Sequence, residues 1–263
     1  MLDSIEHIGP LASFAAAALF AGFILLRAVW LTTDGLRNAW RATPVAVAGG
    51  LIAAGAALSY VHNQSGEPLG WLFGSEAVDF GVSEYGIVAA LVGIAGISLV
   101  LACRLAGLAR LFFLLCTIGA FVIAGEEMSW GQWIFHWTTP EALAAVNLQN
   151  ETNLHNLVDP RIYDVVYAAV GWATLMLSMI AYGFIQRPSS QSDFILLKLL
   201  RDAGTWLRDS RYGLILTIGA AVLLQHELFE EYAEFVFGFA ALLFFLHLHK
   251  PAEQPIAKDM AYA

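Results

Sequence analysis

The chain has 263 residues, of which 59% are hydrophobic and only 13% are charged, and its net charge is −9 at pH 7. Soluble domains carry about 25% charged residues, so this composition excludes an ordinary soluble protein. The acidic balance excludes nucleic-acid binding, which needs clustered basic residues. We therefore predict an integral membrane protein whose partners are membrane lipids. Composition identifies no protein partner.

Seven apolar stretches reach or approach the roughly 20 residues that a helix needs to cross a bilayer. No alternating strand pattern accompanies them, so the predicted fold is all-α. It is one polytopic bundle over residues 1–250 with about seven transmembrane helices, followed by a disordered tail over 251–263. The predicted spans lie near 10–31, 44–62, 84–104, 108–126, 163–185, 211–227 and 233–249.

The basic residues predict the orientation of these spans. Twelve of the 13 Lys and Arg residues fall on one side of a seven-span arrangement, and only Arg161 falls on the other. By the positive-inside rule the basic side faces the cytoplasm. We therefore predict an outside N-terminus and an inside C-terminus in a bacterial cytoplasmic (inner) membrane. Sixteen of the 22 acids then lie on or near the outer side.

An amphipathic helix is predicted over 193–209, between the fifth and sixth predicted spans. Apolar residues such as Leu199, Trp206 and Leu207 share one face, while Lys198 and Arg201 lie towards the other. This pattern is typical of a helix that lies flat on an anionic cytoplasmic leaflet. It fits equally well a helix packed on the inner ends of the spans, and the sequence leaves both interpretations open.

Two adjacent acids, Glu126 and Glu127, end the fourth predicted span in the stretch GEEMSWGQ. An ionised carboxylate at bilayer depth costs about 2.5–3.5 kcal/mol, so acids there indicate a function. Glu126, Glu227 and Glu234 each lie 16 residues from a basic residue at the predicted inner interface. Sixteen helical residues cover about 24 Å, so these acids are predicted to share one polar layer near the outer surface.

Two further stretches carry acids and histidines at helical spacing. In NLQNETNLHNL (147–157), Glu151 and His155 are four residues apart, and Asn recurs every third position, which suits a buried hydrogen-bond network. In HELFEEYAE (226–234), the residues His226, Glu230 and Glu234 follow one another at intervals of four. Glu227, Glu231 and Glu234 form a second stripe. A tight hairpin near 228–232 is predicted here, with an unbroken bent helix as the alternative.

The combination of GEEMSWGQ (125–132), TPE (139–141) and NLQNETNLHN (147–156) resembles a family of bacterial multi-span membrane proteins of unknown function. An acid-rich helix near the C-terminus also belongs to that family and would correspond to HELFEEYAE. The resemblance implies a multi-pass membrane protein. It implies no reaction and no catalytic residue.

The acids and histidines together predict a divalent metal site. Bundles that hold two metal ions use carboxylates from several helices with Glu/His pairs, and such ligands suit Zn, Fe or Mn, with Ca less favoured. The i,i+4 spacing here differs from the i,i+3 spacing of di-iron motifs. The candidate ligands are Glu126, Glu127, Glu151, His155, His226, Glu227, Glu230, Glu231 and Glu234.

A metal-dependent enzyme that acts on a lipid or lipid-linked substrate would follow from such a site. A metal-bound water would be the nucleophile, and Glu127 and His155 are the candidate catalytic residues. A non-enzymatic membrane scaffold or binding protein is the main alternative. A proton or cation transporter is a weaker one, because the inner halves of the spans contain no charged residue to continue a path.

Overall fold

The protein is described by a computed structural model that covers residues 8–30, 43–74, 80–184 and 195–249. Every regular element in this part of the chain is a helix, which confirms the all-α class. The predicted tail over 251–263 lies outside the described residues. The helices are α1 (Ile8–Trp30), α2 (Thr43–Gln64), α3 (Gly70–Phe73), α4 (Val82–Arg104), α5 (Gly107–Glu127), α6 (Gln132–Phe135), α7 (Glu141–Ala144), α8 (Pro160–Phe184), α9 (Ile195–Asp209), α10 (Arg211–Leu223) and α11 (Glu230–His249).

Six helices of the described chain, α1, α2, α4, α5, α8 and α11, are long and apolar enough to cross a membrane. Each coincides with a predicted span to within a few residues. The prediction for 211–227 is wrong in length, because α10 ends at Leu223 after 13 residues. That length is about 20 Å, short of the roughly 30 Å hydrocarbon core. The seventh span and the orientation of the termini stay predictions.

α10 and α11 form an antiparallel hairpin, so the alternative of one unbroken helix is wrong. Trp206, shortly before α10, packs against Phe244 near the end of α11, with ring centroids 5.5 Å apart. The break covers 224–229 and therefore begins earlier than predicted. It contains no Gly or Pro, but the His226 Nδ1 atom accepts the backbone N–H of Leu228 at 3.3 Å. This side-chain cap supports the turn where the sequence offers no usual turn residue.

α9 packs on the bundle rather than lying free on a leaflet. Trp206 and Leu207 are buried in a cluster that includes Ile24 of α1, Leu175 of α8 and Leu214 of α10. Elsewhere on α9, Leu199 packs against the end of α4 and the start of α5. α9 thus packs on the ends of the spans, and its position along a leaflet stays a prediction.

α11 lies centrally, in contact with α2, α4 and α10, while α5 packs along α4 at the edge. Tyr232, Val236 and Ala240 of α11 form a buried core with Leu216 and Ala220 of α10. Because of this packing, the helix ends lie in two groups. We call these groups the basic end and the acidic end of the bundle.

At the acidic end, α4 and α11 begin and α5 ends. The basic end contains the last residues of α4 and α11, together with α9. Glu84 caps the first turn of α4 by accepting the backbone N–H of Gly81. Glu127 ends α5, and Glu230 begins α11. The fold thus collects the ends of four apolar helices, including the start of α8, around one acidic region.

Candidate functional site at the acidic end

The chain between α5 and α8 folds as a series of tight turns that contains only the short helices α6 and α7. Ser129, Trp130 and Gly131 all have positive φ angles, of 47°, 57° and 95°. L-residues seldom adopt this left-handed region, so the helical direction is lost immediately after α5. Residues 147–157 contain only one 3-10 turn, His155–Leu157. The helical pairing predicted for Glu151 and His155 is therefore wrong.

Glu126 ties the end of α5 to the distant loop before α8. Its Oε2 atom accepts the backbone N–H groups of Leu154 at 2.6 Å and His155 at 3.1 Å. Its Oε1 atom accepts the indole N–H of Trp130 at 2.6 Å. The Trp130 ring also lies 2.9 Å from where a Cβ on Gly125 would be, so only glycine leaves room for it. Both carboxylate oxygens are thus used in holding the loop.

Glu151 has a matching structural role from the other side of the loop. Its Oε2 atom accepts the Ser129 hydroxyl at 2.8 Å and the side-chain amides of Asn153 at 2.7 Å and Asn156 at 3.1 Å. Asn147 in turn donates to the Asn153 side chain at 3.0 Å. Asn147, Asn153 and Ser129 are all buried. The predicted buried amide network therefore exists, but in a loop and not on a helix face.

These residues form a connected unit that we call the polar knot, which is completed by Gln132. The Gln132 amide oxygen accepts the backbone N–H of Thr152 at 2.7 Å, and its nitrogen donates to Thr139 at 3.1 Å. The polar knot consists of Glu126, Ser129, Gln132, Thr139, Asn147, Glu151, Thr152, Asn153 and Asn156. Because its members bind one another, the GEEMSWGQ and NLQNETNLHN motifs are explained as partners in one loop structure.

His155 lies beside the polar knot. Its Nδ1 atom is 3.8 Å from the Glu126 Oε2 atom and has no hydrogen bond within the described chain. Burial lowers the pKa of the His155 imidazole, although the carboxylates of Glu126 and Glu151 oppose this shift. The nearest acid is therefore Glu126, and not Glu151 as predicted. Tyr163 of α8 donates to the His155 carbonyl at 2.6 Å, which joins the loop to α8.

Glu127, although adjacent to Glu126, belongs to a different group. Within the described chain its carboxylate makes no hydrogen bond, and it lies within electrostatic range of Glu231 and Glu234 of α11. The Tyr167 hydroxyl of α8 faces Glu234. We call Glu127, Glu230, Glu231 and Glu234 the carboxylate cluster. Glu84 also lies within range of Glu231 and Glu234.

A cavity of about 300 Å³ adjoins this cluster between α1, α8 and the α10–α11 break. Asp164, Glu227 and Glu230 contribute carboxylates to its wall, and His226 and Tyr167 also line it. The remaining lining residues are Pro10, Ser13, Val165, Ala168, Leu224 and Gln225. No Lys or Arg occurs among them. We call this space the acidic cavity, and Glu230 and Tyr167 connect it to the carboxylate cluster.

One wall of the acidic cavity is held by buried polar contacts. Gln225 accepts the Ser13 hydroxyl at 2.7 Å and donates to the backbone carbonyls of Ala168 and Ala221. Trp172 donates its indole N–H to Ser13 at 3.1 Å. These bonds connect α1, α8 and α10 and leave Gln225 fully engaged. The cavity is therefore bounded by helices that are fastened to one another.

The nine candidate ligands thus separate into three places. Glu126, Glu151 and His155 lie in or beside the polar knot, and four glutamates form the carboxylate cluster. His226 and Glu227 lie at the acidic cavity. Across the described ranges, no three His, Cys, Asp or Glu side chains form a group that could hold a metal ion. The geometry therefore does not support the single metal site predicted from the sequence, and a catalytic role for Glu127 and His155 stays a prediction.

Sequence reasoning missed two residues of the cavity, Asp164 and Tyr167, and the anchoring role of Ser129. Asp164 and Tyr167 are three residues apart near the start of an apolar span, so an acid and a hydroxyl on one helix face could have identified them. Ser129 offered no such signal, because its role depends on the left-handed turn that follows α5. Comparisons of this chain with protein-family models, with curated proteins and with solved structures find no significant match to any of them.

Proposed function

We propose that this membrane protein binds the positively charged group of an amphiphilic ligand in the acidic cavity. The observation that carries the proposal is the set of three carboxylates, from Asp164, Glu227 and Glu230, around a cavity whose described lining contains no Lys or Arg. Predicted orientation places this cavity at the outer leaflet. The class of ligand is an ammonium-bearing lipid or lipid-linked molecule.

The negative charge of the cavity determines that a bound group should be positively charged. Carboxylates that lie near one another repel, and the repulsion grows where water is partly excluded. Glu230 lies within electrostatic range of both Asp164 and Glu227. A bound cation relieves this repulsion, whereas an anionic headgroup would increase it. The site therefore favours an ammonium group over a phosphate.

The apolar lining indicates that the rest of the ligand is lipid-like. Val165 lies at the edge of the cavity with 70% of its side chain exposed, and Pro10 is exposed as well. Both belong to membrane-crossing helices, so this edge faces hydrocarbon or headgroups in the bilayer. A volume of about 300 Å³ is at the lower end of small-molecule sites and suits a headgroup better than a whole lipid. Acyl chains would remain in the bilayer.

A thermal-stability assay tests the proposal. Purified protein is heated with lyso-phosphatidylethanolamine, with lyso-phosphatidylglycerol, or with Mn²⁺, Zn²⁺ or Ca²⁺. Binding to the folded state raises stability by about 2.7 kcal/mol at 100 times Kd. We expect the ethanolamine lipid to raise the melting temperature and the glycerol lipid to have little effect.

The matched variants are Glu230→Gln, in the cavity wall, and Glu141→Gln, on an exposed short helix. Stabilisation by the ethanolamine lipid should fall in Glu230→Gln and persist in Glu141→Gln. Stabilisation by a metal ion alone would replace this proposal with the metal hypothesis. No stabilisation by any of these ligands would overturn it.

A further inference from the structure

In the segment between α5 and α8, residues 128–158, several polar side chains are buried and several large apolar side chains are exposed. A water-exposed loop shows the reverse arrangement. Its polar residues Ser129, Asn147 and Asn153 are buried in the polar knot, where they bind one another. Eight of its large apolar residues are exposed instead. They are Trp130, Ile134, Phe135, Trp137, Val146, Leu148, Leu154 and Leu157. We call this segment the cap.

The cap also contains very few charges. Only Glu141 and Glu151 among its 31 residues are Asp, Glu, Lys or Arg, and Glu151 is engaged in the polar knot. A soluble segment of this length would carry about eight charged residues at the usual 25%. Phe135 is 70% exposed, and Leu148 and Leu154 are exposed to a similar extent. An exposed apolar surface of this extent marks a site of contact with a membrane or another protein.

The exposed surface of the cap continues the exposed face of α5. Leu115 and Ile118 lie on that face, and α5 meets the rest of the bundle mainly through α4. Phe121, one helical turn further, contacts the Trp130 ring with centroids 6.4 Å apart. The exposed face of α5 thus leads into the cap through the contact of Phe121 with Trp130.

We infer that the cap lies in the headgroup region of the bilayer and inserts Phe135, Leu148 and Leu154 among the lipids. Tryptophans and other aromatic residues favour this region, because an apolar ring and a polar edge are both accommodated there. The polar knot makes insertion possible by satisfying the backbone and amide groups of the cap internally. The cap is therefore a monotopic element attached to a multi-span bundle.

Site-directed spin labelling tests this inference. Cys103 and Cys116, the two free cysteines of the chain, are first replaced by alanine. Single cysteines are then introduced as Phe135→Cys, Leu148→Cys and Leu154→Cys. The labelled protein is reconstituted in nanodiscs of phosphatidylethanolamine and phosphatidylglycerol. The collision rate of each spin label is measured with oxygen, which concentrates in lipid, and with a nickel chelate, which stays in water.

Two further positions provide the references. Leu115→Cys, on the exposed face of α5, reports lipid, and Glu141→Cys, an exposed charged position of the cap, reports water. We expect all three test labels to collide more often with oxygen than with nickel, as at Leu115. Collision rates like those at Glu141 would show that the cap lies in water and would overturn the inference. Protection from both reagents would show that a protein surface covers the cap, which would overturn it as well.

Discussion

The Glu126 carboxylate accepts the backbone N–H of Leu154 at 2.6 Å, across 28 positions of the chain. This bond joins the last turn of a transmembrane helix to a loop that has almost no regular structure. It explains why an acid is kept at the end of an apolar span: the carboxylate replaces the hydrogen bonds that water would otherwise give to the loop backbone.

Replacing Glu126 by alanine should destabilise the protein by about 3 kcal/mol, because three donors lose a charged acceptor and each such bond contributes about 1.5–3 kcal/mol, not additively. Thermal or chemical unfolding in detergent measures the loss. Glu141→Ala is the control, because its exposed side chain makes no hydrogen bond within the described chain, and it should change stability by less than about 0.5 kcal/mol. Equal effects of the two variants would contradict the role given to Glu126.

Removing the Asn153 amide should cost about 2–3 kcal/mol, since the residue is 1% exposed and Ser129 and Asn147 each lose a buried hydrogen bond to it. A double-mutant cycle with Ser129→Ala should give a coupling energy of about 1 kcal/mol, as expected for residues in one network. The exposed Thr138 supplies the comparison. Its change to alanine should show no coupling to Asn153→Ala, and additive effects in both cycles would argue against a connected polar knot.

Gly171→Ala should destabilise the protein by disturbing the packing of α8 against α10. A Cβ there would lie 2.2 Å from the Gln225 Nε2 atom and 2.5 Å from the Ala221 carbonyl oxygen. Overpacking of this kind costs about 1–3 kcal/mol. Gly119→Ala is the matched control, because nothing lies within 4 Å of its added methyl group. Alanine favours a helix over glycine by about 1 kcal/mol, so that variant should be neutral or more stable. A smaller loss in Gly171→Ala than in Gly119→Ala would contradict the close helix packing.

The pH dependence of stability should include a contribution from His155. Burial lowers the pKa of its imidazole in the fold, while the unfolded chain has a pKa near 6.5. As pH falls through about 6.5, the unfolded chain takes up the proton first, so the contribution of His155 is present above that pH and is lost below it. The melting temperature should therefore fall less steeply from pH 7.5 to pH 5 in His155→Asn than in the parent.

His136 provides the control for this experiment, because its side chain is exposed and its φ of 54° is one that asparagine tolerates. His136→Asn should keep the pH dependence of the parent. If His155→Asn keeps it too, the imidazole of His155 is not the group that titrates.

The sequence by itself determined the helical class, the six long spans and the charge difference between the two ends. These properties are local: about 20 consecutive apolar residues form a membrane helix whatever their neighbours are, and basic residues collect at its ends. The same locality explains the error at α10. The apolar stretch 211–227 is long enough for a span when it is counted along the sequence, but the helix ends at Leu223 and a turn capped by His226 follows.

Only the tertiary structure decided which acids act together. Glu126 and Glu127 are neighbours in the chain, yet one binds a loop backbone and the other faces α11. Adjacent residues on a helix point in directions about 100° apart, so their partners come from different elements. Asp164 and Glu227 meet at one cavity although more than 60 residues separate them. Whether two such residues lie close together depends on how α8 packs against the α10–α11 hairpin. No local pattern in the chain encodes that packing.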